Sequence, residues 1–231
     1  MNDKQLVAIQ AARHVQDDMV VGLGTGSTAN YFIAELARRH REEGLRITAA
    51  ASSVASTIQA REQGLPLVAL EHLGTLDLYV DGADEVTPNL ALLKGRGYDL
   101  VREKLLARAS DRFIVLVDKS KLVGHLGEKF PIPVEVIPFA WQLVQASLQQ
   151  LGIASSLRQN AAKDGWAITS HGSLVLELTL PKTLQSRELN QLLNDIPGIV
   201  EHGVFEELAD AVFVADQGQV EEVWKTAEHN Q

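Results

Sequence analysis

The chain contains no cysteine, so neither disulfide bonds nor thiolate chemistry can contribute to it. That absence fits a reducing compartment, and we expect the protein in the cytoplasm. No apolar run approaches the roughly 20 residues that span a membrane, and the amphipathic N-terminus is unlike a signal peptide. Basic residues are too few to balance the acidic ones, and the net charge is −9. This charge argues against a nucleic-acid-binding protein and requires any anionic ligand to be held by local groups.

The order of hydrophobic patterns predicts two domains within the 231 residues. Over residues 1–128, short apolar runs alternate with helical patterns, which favours a Rossmann-like, doubly wound α/β domain with a mostly parallel sheet. A proline-rich, extended segment at 130–138 marks a change. The patterns over 129–203 predict a smaller, ferredoxin-like α+β domain. We expect residues 204–231 to return to the first domain, because 211–215 is another apolar strand.

Local patterns also predict single elements. Short strands are expected at 66–70 and 166–169, and the tail from Gln217 is polar apart from Val220, Val223 and Trp224. A helix is predicted over residues 98–109, with Val101, Leu105 and Ala109 on one face.

A glycine-rich loop follows the first predicted strand. Residues 22–28 read Gly-Leu-Gly-Thr-Gly-Ser-Thr, and a helical pattern begins after them. This layout suits phosphate, because free N–H groups and the helix dipole favour an anion. A dinucleotide fingerprint would need glycine in place of Ser27, and no Gly-Lys-Ser/Thr of a Walker A loop is present. We therefore predict a site for one phosphate or several sugar hydroxyls, with a tight structural turn as the alternative.

The stretch from Leu76 to Lys104 holds further candidate residues. An apolar run ends in Asp81-Gly82-Ala83-Asp84, and ligands of α/β sheets bind beyond the C-terminal ends of strands. Two carboxylates this close suit acid–base chemistry, because each resists ionisation of the other. A turn with Asp84 as a helix N-cap, or a Mg²⁺ site, would explain the same residues.

A second glycine turn, Lys94-Gly95-Arg96-Gly97, precedes the helix that carries Glu103. Lys94 is placed to polarise a carbonyl or neutralise an enediolate. Taken alone, Glu103 fits a solvated helix carboxylate. Farther along, the strand at 113–117 ends in Asp-Lys-Ser-Lys, in which Lys121 is the best-placed cation.

Together these motifs resemble the type A ribose-5-phosphate isomerase family from end to end. Several independent motifs in register are more specific than any single motif. The motifs that carry the resemblance are GLGTGSTA (22–29), YVDGADEV (79–86), KGRG (94–97), REK (102–104), DKSK (118–121) and FPIPVEVIP (130–138).

The resemblance implies an aldose–ketose isomerase without cofactor or metal, acting on ribose 5-phosphate and ribulose 5-phosphate in the pentose phosphate pathway, usually as a homodimer or homotetramer. It implies Glu103 as the base between C2 and C1 and Lys94 as the group that stabilises the enediolate. Asp81, with Asp84 close by, would assist ring opening and proton transfer at the sugar oxygens. The implied substrate-binding residues are Thr25, Gly26, Ser27, Thr28, Gly82, Ala83, Gly95, Arg96, Gly97, Lys121 and Lys4.

The second glycine turn departs from the family pattern, which usually reads Lys-Gly-Gly-Gly followed by a small residue. Arg96 and Tyr98 interrupt it here. If position 96 needs a positive φ, arginine would be strained there by about 1 kcal/mol or more. Alternatively, Arg96 adds a contact to a phosphate or a carboxylate.

Three other functions are compatible with some of these sequence motifs. A sugar-phosphate sensor without catalysis would keep the 25–28 loop but has no need of Asp81, Lys94 and Glu103 together. A nicotinamide-dependent oxidoreductase is disfavoured by Ser27 and by the position of Glu42 in a charged turn. An isomerase of a related sugar phosphate would use the same residues.

Overall fold

The computed structural model describes residues 2–180 and 184–226. This part of the chain divides into two compact units. Residues 2–83, 105–121 and 208–226 form the first unit, and residues 84–104, 122–180 and 184–207 form the second. Residues 227–231, which the sequence assigns to the first domain, lie outside the described residues. No described helix is long and apolar enough to cross a lipid bilayer.

Helices and strands alternate through most of the described chain. The helices are α1 (Asp3–Ala12), α2 (Ser27–Glu42), α3 (Val54–Glu62), α4 (Leu100–Ala109), α5 (Trp141–Gln150) and α6 (Ser186–Asn194). The strands are β1 (Val20–Leu23), β2 (Thr48–Ala51), β3 (Leu78–Gly82), β4 (Glu85–Val86), β5 (Leu92–Leu93), β6 (Phe113–Asp118), β7 (Ile132–Val136), β8 (Ala154–Leu157), β9 (Leu174–Thr179), β10 (Ile199–His202), β11 (Val204–Phe205), β12 (Ala211–Asp216) and β13 (Gln219–Trp224).

The first unit is built on a six-stranded sheet in the order β13-β12-β6-β3-β1-β2. All neighbouring strands are parallel except the edge pair β12 and β13. This arrangement confirms the predicted mostly parallel sheet. From β1 the chain continues to β2 on one side and then to β3 on the other, so a topological switch point lies between β1 and β3. Ligands of open α/β sheets bind at such points.

Helices α1 and α2 bury small and branched side chains in the core of this unit. Ala8 and Ala11 on α1 and Phe32, Ile33 and Leu36 on α2 are inaccessible to solvent. Burying a side chain of this size stabilises the fold by about 1.5–3 kcal/mol. The packing of α2 fixes its first turn, and with it the loop that follows β1.

The second unit contains the predicted ferredoxin-like fold. Its elements follow the order β7, α5, β8, β9, α6 and β10, which is the βαββαβ pattern. Its four strands form an antiparallel sheet in the order β10-β7-β9-β8. Apolar residues of the sheet and both helices close one core, including Val134, Leu176, Leu189 and Leu193.

A three-stranded sheet of two-residue strands, in the order β11-β5-β4, was not predicted. Leu93 on β5 pairs with Val204 of β11 on one side and with Glu85 of β4 on the other. These pairings place residues 84–104 and 204–207 in the second unit, together with 122–128. The units therefore differ from the predicted boundaries at 128 and 204, because strands of two residues leave no periodic pattern in the sequence.

Two predicted strands are absent as strands from the structure. The segments 66–70 and 166–169 form only isolated bridges, at Leu67, Trp166 and Ile168. The tail after Gln217 contains β13, which pairs antiparallel with β12 at the sheet edge.

The predicted apolar face of α4 is also wrong. Leu105 is 51% exposed, whereas Glu103 and Lys104 are buried. Both charged side chains have ionic partners, so burying them is tolerated.

Candidate functional site

The loop after β1 ends in a helix start that no side chain caps. Gly26 is the N-cap of α2 with φ of 107°, a conformation that favours glycine. The first N–H groups of α2 therefore have no side-chain cap. Lys4 Nζ lies 2.8 Å from Ser27 Oγ in this first turn, and Thr28 follows it. Positive charge and N–H donors at a helix start suit an anion.

Asp81 is held at the C-terminal end of β3 by three donors. Its carboxylate accepts from the N–H of Thr25 at 3.0 Å, the N–H of Gly82 at 2.7 Å and the Tyr79 hydroxyl at 2.5 Å. The residue is 1% exposed. A Cβ on Gly24 would lie 2.1 Å from Asp81 Oδ1. Glycine at 24 is therefore what lets the loop approach this carboxylate.

A cluster of hydroxyl groups fixes the side chain of Thr25. Its Oγ1 lies 2.8, 2.7 and 3.1 Å from the hydroxyls of Ser52, Ser53 and Ser56. Ser56 also donates to the carbonyl of Gly24 at 2.6 Å. Ser53 also caps α3, because its side chain accepts from the N–H of Ser56. The contact to Thr25 was missed because it joins segments 27 or more residues apart.

A cleft of about 590 Å³ opens beside the start of α2. Among its lining residues are Lys4, Ser27 and Asp118. Burial would raise the pKa of Asp118, but hydrogen bonds from Ser120 and the charges of Lys121 and Lys4 outweigh it, so the pKa is lowered. Asp118 is therefore ionised at neutral pH, and Lys121, predicted as a substrate-binding residue, acts electrostatically on it.

In the second unit, Lys94 and Glu103 form a buried ion pair. Lys94 Nζ lies 3.1 Å from Glu103 Oε2, and their side chains are only 4% and 9% exposed. The backbone N–H of Lys94 donates to the carbonyl of Gly203 at 2.9 Å. The pair places a carboxylate and a fixed positive charge side by side in a region of low dielectric, where electrostatic interactions are strong.

The glycine turn after Lys94 carries no strain at Arg96. Among residues 95–97 only Gly95 has a positive φ, of 88°. Because Arg96 does not need a positive φ, its backbone is not strained. Arg158 Nη1 lies 3.3–3.4 Å from the carbonyl oxygens of Gly95, Arg96 and Gly97. Arg158 is itself paired with Glu177 at 2.8 Å. Nothing in the sequence near Arg158 signalled this contact.

Lys104, the residue after Glu103, is buried with its own partners. Its Nζ donates to Glu201 Oε1 and to the His202 carbonyl, both at 2.6 Å. These contacts anchor the first turn of α4 and so fix the backbone that carries Glu103. Sequence reasoning quoted Lys104 as part of a motif but gave it no role.

Within each unit, contacts join several of the predicted site residues. In the first unit the contacts join Lys4 with Ser27 and Thr25 with Asp81. In the second unit they join Lys94 with Glu103 and, at 3.9 Å, Arg96 with Asp84. Within the described part of the chain, no group of three His, Asp or Glu side chains is arranged to hold a metal ion.

Comparison with known proteins decides the family. The sequence model of the family described as ribose 5-phosphate isomerase A (phosphoriboisomerase A) matches residues 48–219, more than half of the chain. The chain belongs to this family. The resemblance found in the sequence motifs is thereby confirmed.

Ribose-5-phosphate isomerase A proteins of two organisms illustrate the similarity. The one from Thermococcus kodakarensis is 42% identical over 212 residues, covering 91% of this chain and 93% of the relative. The one from Methanothermobacter thermautotrophicus is 44% identical over 213 residues, covering 92% and 93%.

Solved structures of the isomerase family agree with the fold. Ribose 5-phosphate isomerase A from Methanocaldococcus jannaschii superposes with a TM-score of 0.91 at 41% identity, covering 96% of this chain and 98% of that one. A D-ribose-5-phosphate isomerase in complex with phospho-erythronic acid gives a TM-score of 0.92 at 38% identity, with 97% and 100% covered.

Glu135 on β7 is a buried carboxyl group of this isomerase family member that sequence reasoning did not select. It is 1% exposed, and within the described residues neither oxygen has a hydrogen-bond partner within 3.5 Å. Burial raises the pKa of Glu135 above the usual 4.5, and the negative charge of Asp99 raises it further. The hydroxyls of Thr169 and Ser173 and the backbone of Val101 offset part of this rise in the pKa.

Gly24→Ala tests the close approach of the loop to Asp81. We expect a loss of about 1–3 kcal/mol in the free energy of unfolding, because the added methyl group overlaps the carboxylate. Urea denaturation measures it. Gly74→Ala is the matched control, since a Cβ there meets nothing within 4 Å. Equal stability of the two variants would contradict the account of Gly24.

Glu135→Gln tests the burial of this carboxyl group through pH. The folded state binds the proton more tightly than the unfolded state, so wild-type stability falls as pH rises above about 4.5. We expect Glu135→Gln to gain stability relative to wild type from pH 4 to pH 8, measured by denaturant titration. Glu221→Gln, at an exposed strand position, should show no such trend. A pH-independent difference for Glu135→Gln would refute the assignment.

Proposed function

We propose that the protein catalyses the reversible isomerisation of D-ribose 5-phosphate to D-ribulose 5-phosphate. The observation that carries this proposal is the buried pair of Lys94 and Glu103, 3.1 Å apart. The reaction moves one proton between adjacent carbons and passes through an enediolate, so it needs one base and one fixed positive charge. Membership of the ribose 5-phosphate isomerase A family supports the same reaction and its place in the pentose phosphate pathway.

Glu103 is the proposed base. It removes the proton from C2 of the open-chain aldose, and the electron pair moves through the new C1–C2 double bond onto the C1 carbonyl oxygen. The same carboxyl group then returns a proton to C1. The C2 hydroxyl gives up its proton and becomes the carbonyl of the ketose, while the C1 oxygen takes up a proton and becomes a hydroxyl, so one proton also passes between the two oxygens. A well-placed base of this kind contributes about 10²–10⁴-fold to the rate.

Lys94 is the proposed stabiliser of the enediolate. Its ammonium group is buried and its backbone is fixed, so it needs no rearrangement when negative charge develops on the sugar oxygens. One preorganised donor of this kind contributes roughly 3–4 kcal/mol to transition-state stabilisation.

Asp81 is proposed to assist ring opening. The cyclic sugar must lose the proton of its C1 hydroxyl and gain one on the ring oxygen, and a carboxylate can relay it. Hydrogen bonds from Thr25, Tyr79 and Gly82 restrict the orientation of Asp81, and a fixed orientation of a catalytic group increases the rate. Asp84 is proposed to act with it at the sugar oxygens, and Gly82 and Ala83 to contact the sugar through their backbone.

The start of α2 is proposed to bind the phosphate. Lys4 and Ser27 lie together there, and the helix N–H groups lack a side-chain cap. Local positive charge is needed because the protein as a whole carries −9. The other proposed contacts are those of Thr25, Gly26, Thr28, Lys121, Gly95 and Gly97.

We further propose a cytoplasmic homodimer or homotetramer. Phe139 and Leu143 are 87% and 73% exposed, and large apolar side chains left in solvent are typical of an interface. Sedimentation equilibrium tests the assembly.

The direct test of the reaction is the conversion of ribose 5-phosphate by purified protein with EDTA present. Turnover is the expected result. Protein that is stabilised by the sugar phosphate against heat, yet produces no ribulose 5-phosphate, would instead be a sensor.

Glu103→Gln should lower kcat by at least about 10²-fold while substrate affinity is kept, because the amide accepts no proton. Steady-state kinetics measure both. Glu188→Gln is the matched control, since Glu188 also lies in the first turn of a helix but is exposed. Near-normal turnover of Glu103→Gln would remove Glu103 from its role.

Lys94→Ala should lower kcat and kcat/KM together, by roughly 10²-fold or more, because it removes charge used in the transition state. Lys225→Ala, at an exposed position, serves as the control. A rise in KM alone would show instead that Lys94 only binds the substrate.

A further inference from the structure

A frame of hydrogen bonds surrounds Asp84 in the second unit. The N–H of Asp84 donates to the Leu93 carbonyl at 2.8 Å. The next residue, Glu85, is fully buried. Its carboxylate accepts three backbone N–H bonds at 2.6–2.9 Å, from Gly127, Lys129 and Phe130. Charge-assisted bonds of this kind are strong, so the backbone of Asp84 and the loop that carries Phe130 are fixed relative to each other.

Arg96 closes this frame from the glycine turn. The central carbon of its guanidinium lies 3.9 Å from the centre of the Phe130 ring, well inside the range of a cation–π contact. Its Nη1 lies 3.9 Å from Asp84 Oδ1. A planar guanidinium that stacks on a ring keeps its direction, which a lysine ammonium would not.

The backbone under Arg96 is fixed as well. The carbonyls of the turn face Arg158, as described above, and Gly95 supplies the single positive φ. Arg96 is still 49% exposed in its side chain, and Asp84 is 22% exposed. A partly accessible carboxylate loses rotamer freedom to each charged neighbour that contacts it.

We propose that Arg96 is a positioning residue that helps to orient the carboxylate of Asp84 for proton transfer at the sugar oxygens. This inference rests on the proposed function, in which Asp84 acts on the substrate. It assigns to Arg96 the carboxylate contact that the sequence left as one of two alternatives. Arg96 then acts through Asp84 and does not itself touch the sugar phosphate.

The test is a double-mutant cycle of Arg96→Ala and Asp84→Asn, followed by steady-state kinetics with ribose 5-phosphate. We expect Arg96→Ala to lower kcat by about 5- to 20-fold with KM changed less than about twofold. In the Asp84→Asn background the same change should cost less than about twofold, because its target is gone. Phe130→Leu, which removes the stacking surface, should reproduce part of the loss.

Arg187→Ala is the matched control. Arg187 also pairs with an acidic residue on the surface of the second unit, Glu207 at 3.7 Å, and it has no part in the proposed reaction. Its kinetics should equal those of wild type. The melting temperature of each variant is measured alongside, and that of Arg96→Ala should stay within about 2 °C of wild type, since exposed ion pairs contribute little to stability.

Four results would overturn the inference. A rise in KM with unchanged kcat would make Arg96 a direct substrate contact. An equal loss in both backgrounds would show that Arg96 acts independently of Asp84. If the wild-type protein turns over and Arg96→Ala has unchanged kinetics, the role of Arg96 is contradicted but the proposed function is not. If the wild-type protein does not turn over, the proposed function is contradicted, and the role of Arg96 with it.

Discussion

A buried ammonium group 3.1 Å from a buried carboxylate is the constraint that much of the second unit satisfies. Removing such charges from water costs several kcal/mol each, and good geometry must compensate. Gly203 provides part of this geometry. Its carbonyl accepts a hydrogen bond from the backbone N–H of Lys94, and a Cβ on Gly203 would lie 2.4 Å from the Lys94 carbonyl oxygen. Lys104 supplies another part by anchoring the helix turn that carries Glu103. The strands β5 and β11, although short, therefore help to position the ion pair.

In the first unit, backbone groups help to position a second buried carboxylate. Asp81 is as buried as the ion pair, and its donors include two backbone N–H groups and a phenol hydroxyl. Backbone donors cannot rotate away, so they restrict the orientation of the carboxylate. Thr25 is fixed in turn by buried serine hydroxyls. A site held this way is preorganised, and preorganisation is what the proposed chemistry requires.

The sequence predicted the regular parts of the fold because they have periodic patterns. The parallel sheet and the βαββαβ unit both follow from alternating strands and helices of ordinary length. The sheet containing β4, β5 and β11 escaped prediction, since two residues make no pattern. The face of α4 was misjudged because Glu103 and Lys104 look like solvent residues until their partners are known. Arg158 could not be found at all, since its contacts to the 95–97 carbonyls join residues about 60 positions apart.

The central claim is that a carboxylate moves a proton between C2 and C1. The most direct measurement is the conversion of ribose 5-phosphate deuterated at C2, in ordinary water with EDTA, followed by NMR of the product. A carboxylate that holds the proton between two steps exchanges part of it with solvent, so we predict ribulose 5-phosphate with deuterium lost in part from C1. Complete transfer of deuterium from C2 to C1 would indicate a direct hydride shift and contradict the account, as would the absence of product.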